Sequence, residues 1–356
     1  MSSNDTKAKI PSFLKAMESI YGPLPDHDDK KWTPPPTAEG HRGRYLWTDG
    51  FAVVNFLTLY SLTSESQYLT FARNLISTVH AILGYTRDGT SRLPGATEHE
   101  PLKGGLRIGK HDESGSDGDG QYFHYLTVWM FALNRFTFVT GETWYNQQAI
   151  IMAKSILPKF MTDCETARPR MFWKLSMDLE RPLVYSEGNL DPIDGYMLDD
   201  DTALFKKIVD TKVDDYDSAD TLDIGMTLWT AHWLTPEEEW ASKQTKRVLY
   251  CLNRLMESGN FDKPTKRRLA FREFGTALGV RSVMTEQISG VGFGQKEDSL
   301  GAEVRKLPDL ICHQWQEAGI VPIPEKQMQG RMAELMPITA VMYASALIPG
   351  MMIRKQ

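Results

Sequence analysis

The chain has 356 residues, 41% of them hydrophobic and 24% charged, with a net charge of −6. This is an ordinary globular composition without a long basic run. The footprint that a phosphate backbone demands is missing, which argues against a nucleic-acid partner. Cys164, Cys251 and Cys312 are far apart and lack C-x-x-C spacing, so neither a disulfide scaffold nor a structural zinc site is expected.

The first residues, MSSNDTKAKIPSF, are polar and lack the apolar stretch of a signal peptide, so a cytoplasmic protein is expected. The run 11–20, PSFLKAMESI, predicts a helix without an inner partner nearby, one that would pair with the last helix and close a ring. Residues 51–61 place Phe51, Val54 and Leu57 on one stripe and Val53, Phe56 and Tyr60 beside it. A helix that is apolar almost all round needs burial on several sides. The next run, 67–84, is amphipathic, with Leu69, Ala72, Leu75, Ile76 and Val79 on one face and Gly84 as its stop. The two runs predict a hairpin with an inner and an outer member. The alternation returns at 121–140 with 143–160, and at 219–234 with 236–257, where Pro236 suits a first turn. It continues at 267–283 with 302–318 and ends at 330–347.

Alternating β-branched runs are almost absent, so few strands are expected. The segment 335–353 carries no charge over a length that just reaches a membrane span, but Pro337 and Pro349 interrupt it. A buried helix is expected there, and no membrane partner. The stretches 85–119 and 161–198 are long, rich in Gly, Pro, Asp and Arg, and read as functional connections. The pattern predicts an all-α chain forming one unit over 1–356.

Four segments carry a resemblance: GRYLWTDGFAVVNFLTLYSLT (43–63), GGLRIGK (104–110), DGQYFHYLTVWMFAL (119–133) and FWKLSMDLERPLVYSEGNLDPIDG (172–195). Together they resemble a poorly characterised group of six-hairpin glycosidase-like proteins. The resemblance implies an (α/α)6 toroid, six inner helices ringed by six outer ones. It also implies that the loops entering the inner helices gather at one end around a cleft, where 184–196 would lie as a loop.

Within that frame, Asp49 in YLWTDGF reads either as a helix cap or as a cleft carboxylate, with Tyr45 and Trp47 as stacking surfaces beside it. Asp191 and Asp194 in DPIDG read as turn residues or as a crowded carboxylate pair. Crowding in a dry cleft splits two carboxyls into an acid and an ionised partner, which is what glycoside hydrolysis requires. Gln121 and His124 share one helix face and would point into the cleft as hydrogen-bonding groups. Arg107, flanked by glycines, suits an acidic substituent, as does Lys174, and Trp173 suits a sugar face. Arg272 with Glu273 forms a charged island in an apolar helix that needs partners.

Other clusters read as structural. Glu98, His99 and Glu100 lack metal-ligand spacing, and Asp117 with Asp119 resembles only a fragment of a calcium loop. Asp199, Asp200 and Asp201 before Thr202 echo the acid motif of some terpene cyclases, or simply complement a helix dipole. Asp220 and Asp223 sit as cap and first-turn acid. No phosphate loop, nucleophile elbow or dinucleotide fingerprint appears, so neither cofactor nor metal is expected. The sequence thus predicts an intracellular glycoside-hydrolase-type enzyme acting on a small glycoside through Asp49, Asp191 or Asp194. A cofactor-independent isomerase or cyclase acting on a small hydrophobic metabolite in the same cleft is the alternative, and a scaffold that has lost catalysis is a third.

Overall fold

The computed structural model describes residues 3–37, 39–115, 117–166, 168–188, 190–198, 202–213, 215–235, 237–285, 297–322 and 331–354. Among these the helices are, in chain order, α1 (Ser3–Tyr21), α2 (Leu46–Thr63), α3 (Gln67–Leu83), α4 (Phe123–Thr140), α5 (Thr143–Phe160) and α6 (Asp191–Leu198). They continue as α7 (Thr202–Val213), α8 (Thr221–His232), α9 (Glu239–Glu257), α10 (Ala270–Thr285), α11 (Glu297–Glu317) and α12 (Arg331–Leu347). Strands β1 (Gln121–Tyr122), β2 (Met161–Thr162), β3 (Arg170–Met171) and β4 (Lys174–Leu175) form two short antiparallel ladders, β1–β4 and β2–β3. The chain clusters into two compact units: Ile20–Val209 with Gly330–Pro337, and Met1–Ser19 with Asp210–Gln329 and Ile338–Gln356.

In the first unit α2 is buried without a break from Leu46 to Leu59, as its all-round apolar sequence requires. It packs on α3, which buries only one stripe, and on α4. Ser64 ends α2 in the left-handed conformation, its N–H bonded to the Tyr60 carbonyl at 2.8 Å, and Gly141 ends α4 in the same way. α4 in turn packs on α5 and α6. In the second unit α8 packs on α9 and α10, and α10 on α11. α8 and α10 approach so closely that a side chain at Gly225 would strike the Gly275 backbone. Asp220 caps α8, accepting from the backbone N–H of Leu222 at 2.8 Å.

Five elements differ from the sequence reading. The helix expected from 121 begins at Phe123, so Gln121 lies in β1 and not on a helix face shared with His124, and the helix expected from 302 begins at Glu297. The N-terminal helix begins at Ser3 and not near residue 11; an Asp5–Lys9 ion pair at 3.2 Å, one turn apart, supports its polar first half. The helix expected from 267 begins at Ala270, after a 3-10 turn over Thr265–Arg267. The stretch 184–196 is not wholly a loop, because α6 starts at Asp191. Pro192 falls in the first turn, where its missing N–H costs nothing, and the Leu190 carbonyl accepts from Ile193 and Asp194 at 3.0 and 3.1 Å. Asp199, Asp200 and Asp201 lie outside the described residues, as does Pro236. No helix among the described residues is long and apolar enough to cross a membrane; α12 ends at Leu347 and is buried from Met336 onward.

Candidate active site at the first turn of α6

Two short pairings build the site. β1 pairs with β4 in the register Tyr122 to Lys174, and Phe172 bridges to Glu187. Tyr122, Trp173 and the segment ending at Gly188 are thereby brought together. The chain passes from β1 directly into α4, whose first N–H, on Phe123, bonds the Trp173 carbonyl at 3.0 Å. His124 therefore sits in the first turn of α4, and α6 packs against that helix.

The two first turns meet through side chains. His124 Nδ1 bonds Asp194 Oδ2, which also accepts from Thr127 Oγ1 at 3.2 Å. Thr127 is anchored in turn by its bond to the His124 carbonyl at 2.6 Å. His124, Asp191 and Asp194 are all buried, at 2%, 2% and 0% exposure. Burial pushes the Asp191 carboxyl up to about 7; the negative charge of Asp194 adds to this, and His124 and nearby backbone N–H groups pull back less. Asp191 Oδ1 and His124 Nε2 are buried without a hydrogen-bond partner among the described residues. A buried acceptor and a buried ring nitrogen left open cost free energy unless something polar meets them.

Aromatic rings border this pair. Trp47 lies 4.7 Å from the His124 ring and 5.0 Å from Tyr125. Tyr122 stacks on Tyr125 at 4.5 Å and meets Trp173 edge-on at 4.9 Å. The Tyr45 and Tyr125 hydroxyls are 3.1 Å apart. Trp173, half-buried, donates from Nε1 to Ser186 Oγ at 3.1 Å. Tyr45, Trp47, His124, Trp173, Asp191 and Asp194 thus belong to one neighbourhood.

Asp49 is differently placed from the sequence reading. It is 1% exposed and its carboxylate is fully engaged. Tyr21 Oη donates to it at 2.9 Å, Arg44 Nη1 at 3.3 Å and the Tyr45 backbone N–H at 3.3 Å. Burial raises its carboxyl above the ordinary range even so, since these partners offset only part of the desolvation. Arg44 is held on its other side by the Gly43 and Pro35 carbonyls. This is an internal clamp at the start of α2.

The residues expected to bind substituents are also turned inward. Arg107 is 0% exposed and donates to Asp119 Oδ2 at 2.9 Å and to the Tyr85 and Ile82 carbonyls at 3.0 and 3.1 Å. Asp119 further accepts from Arg87 at 2.8 Å and from backbone N–H groups of Gly109, Lys110 and Gly120. A carboxylate so surrounded is the anchor of its loop and not a free cation ligand. Lys174 Nζ donates to the Gly118 carbonyl at 2.6 Å, and Gln121 Nε2 bridges the Gly104 and Met177 carbonyls, both at 2.8 Å. Arg272 belongs to the other unit, where it pairs with Asp220, while Glu273 is gripped by Arg268 and by Trp315 Nε1 at 2.8 Å. Among the described residues no group of three or more His, Cys, Asp or Glu side chains is placed to hold a metal ion.

Sequence reasoning passed over Tyr122, Tyr125 and Thr127. Their one signal was spacing: Tyr122 and Tyr125 stand three apart, as do His124 and Thr127, around the turn into α4. Glu39 was also missed. It is half-buried and accepts from Thr48 Oγ1 at 2.6 Å, with its carboxyl raised by burial.

No family model matches the sequence, and no curated protein does. Solved structures are similar along nearly the whole chain. An α-1,6-mannanase of glycoside hydrolase family 76 from Salegentibacter sp., an inactive variant in complex with α-1,6-mannotriose, aligns with TM-score 0.56 and 11% identity over 97% of this chain and 99% of that one. A family 76 α-mannanase from Bacteroides thetaiotaomicron gives TM-score 0.59 and 9% identity over 96% and 95%. An unsaturated glucuronyl hydrolase specific for heparin gives TM-score 0.55 and 9% identity over 99% and 100%. At these identities the likeness establishes the fold: the chain has the six-hairpin glycosidase-like (α/α)6 toroid fold.

Proposed function

We propose that the chain is a glycoside hydrolase acting on a small glycoside, with Asp191 as general acid and His124, positioned by Asp194, as general base. One observation carries this reading. Asp191, uncharged up to about pH 7, and His124 Nε2 are open, buried and adjacent to the same Asp194 carboxylate. A buried carboxyl that keeps its proton and a buried imidazole nitrogen left open, next to an aromatic wall, are the minimum equipment for the reaction.

The Asp191 carboxyl donates its proton to the glycosidic oxygen. The bond from that oxygen to the anomeric carbon breaks, and the electron pair leaves with the alcohol. A water attacks the anomeric carbon and passes a proton to His124 Nε2. Asp194 stabilises the imidazolium and fixes its orientation, and Thr127 fixes Asp194. Solvent returns the proton from His124 to Asp191. Trp47, Tyr122 and Trp173 face the apolar side of a sugar ring and the cationic charge that develops on it. The related mannanase binds α-1,6-mannotriose and is inactive when two adjacent aspartates are replaced. Asp191 and Asp194 stand one helical turn apart and are not adjacent, so their roles rest on this chain's own geometry.

A second reading is favoured by one feature. Arg107, Lys174 and the amide nitrogen of Gln121 are spent internally, which leaves the neighbourhood of Asp191 more aromatic than polar, the buried Gln121 Oε1 being open. A cofactor-independent isomerase or cyclase would use the same acid to protonate an alkene, with the aromatic rings facing the cation.

The test is a panel of nitrophenyl glycosides and α-1,6-mannotriose, followed by reducing-end formation with native protein and with Asp191→Asn. Hydrolysis by the native protein that disappears in the variant supports the proposal. Equal hydrolysis by both, or none by the native protein across the panel, overturns it. A rearranged isoprenoid with no reducing end would move the assignment to the second reading.

A further inference from the structure

Gly188 lies immediately against the proposed acid. A Cβ built on it would sit inside contact distance of Asp191 Oδ2, 3.0 Å from Asp191 Cγ and 3.4 Å from Trp173 Cβ. Its backbone is not in the left-handed region, because it is absent from the positive-φ residues. The usual conformational reason for glycine therefore does not apply here. What demands glycine is the volume already filled by the Asp191 carboxyl. The segment has little freedom to retreat: Glu187, the preceding residue, bridges to Phe172. On the other side, the Asp191 backbone is fixed by its place at the start of α6, so the carboxyl is the part that yields.

We infer that Gly188 is a positioning residue for Asp191: its missing side chain is the space in which the carboxyl is held beside His124 and Trp173. Any side chain at 188 would drive the carboxyl out of that space. The loss of orientation would appear in turnover and not in ground-state binding, since the aromatic wall is untouched. The bearing of this on catalysis rests on the hydrolase reading above; the packing relation itself does not.

The experiment joins a double-mutant cycle to kinetics. Melting is measured for native protein, Gly188→Ala, Asp191→Ala and the double variant. Gly188→Ala is expected to lower Tm by about 3 °C in the native background and by less than about 1 °C in the Asp191→Ala background. The same loss in both backgrounds would overturn the inference, because the crowding would then come from Trp173 or the backbone. If Gly188→Ala alone fails to fold, the double variant must fold; failure of both would also overturn it. On whichever panel glycoside is turned over, Gly188→Ala is expected to lower kcat at least ~30-fold with KM within about two-fold. It should also move the alkaline limb of the pH profile downward as the carboxyl nears water. Unchanged kcat and pH profile would contradict the positioning role. If no glycoside is turned over, the hydrolase reading fails while the melting cycle still decides the packing relation.

Discussion

Two helix starts in one unit each bury an aspartate, and they spend it in opposite ways. At the start of α2, Asp49 receives a guanidinium, a phenol and a backbone N–H, while its partner Arg44 is held on its other side by two carbonyls. At the start of α6, Asp191 keeps one oxygen open and stands beside a histidine whose outer nitrogen is open too. Both carboxyls are raised by burial, so a shifted pKa does not separate them. The unfilled hydrogen-bonding capacity does. A closed network stabilises or specifies a fold; an open one leaves room for a substrate.

The largest effect expected from this contrast is on turnover. Asp191→Asn removes the transferable proton and should lower kcat by about 10³-fold, within the usual range for a lost general acid, with melting at pH 6 little changed. Because the acid form is the active one, native turnover should fall as pH rises through about 7, the value to which burial moves Asp191. A variant as active as native protein at pH 6 would close the α6 site as a catalytic candidate.

Next comes stability at α2. Asp49→Ala leaves the Arg44 guanidinium buried without its charge partner and strands the Tyr21 hydroxyl. Unfolding in denaturant should show a loss of about 3 kcal/mol, with kcat per folded molecule unchanged. A variant with native stability and lost turnover would exchange the roles assigned to the two helix starts.

A smaller effect is expected at Asp194. Asn in its place can still accept from His124 but cannot balance an imidazolium, so kcat should fall about tenfold with KM nearly constant. A rise in KM alone would make Asp194 a substrate ligand and not a partner of His124.

Much of the architecture was legible. The alternation of all-round apolar and one-sided helices marks α2 with α3, α4 with α5 and α8 with α9, because burial on several sides demands a different composition from burial on one. α6 was not legible, since Pro192 and Gly195 suggest a turn, and only the Leu190 carbonyl shows that the proline begins a helix. Asp191 and Asp194 stood out as a pair and His124 apart from them, yet 67 and 70 residues separate the aspartates from the histidine (191−124 and 194−124), and only the packing of α6 on α4 joins them. Arg107 misled for a related reason. Glycines beside a cation do suggest a ligand, but Asp119, twelve residues on (119−107), folds back to take it. Asp49 misled because Tyr21 and Arg44 reach it from outside the motif that contains it.

The smallest effect is thermal and needs no substrate. Asp191 binds its proton more tightly folded than unfolded, so between about pH 4 and about pH 7 the native protein loses stability as pH rises, and Asn at this position does not. The melting temperature of Asp191→Asn relative to native protein should therefore climb by about 2 °C from pH 5 to pH 8. A difference that stays flat over that range would mean Asp191 titrates alike in both states.

The central claim is that a neutral acid waits at the first turn of α6, and it is tested most directly by the titration of Asp191 itself. In protein labelled with carbon-13 at aspartate side-chain carboxyls, the resonance that disappears in Asp191→Asn belongs to this residue. Its chemical shift, followed from pH 3 to pH 9, should change with a midpoint close to about 7. A midpoint near about 4, the ordinary value for an exposed aspartate, would contradict the account, since a carboxyl already ionised at neutral pH has no proton to give.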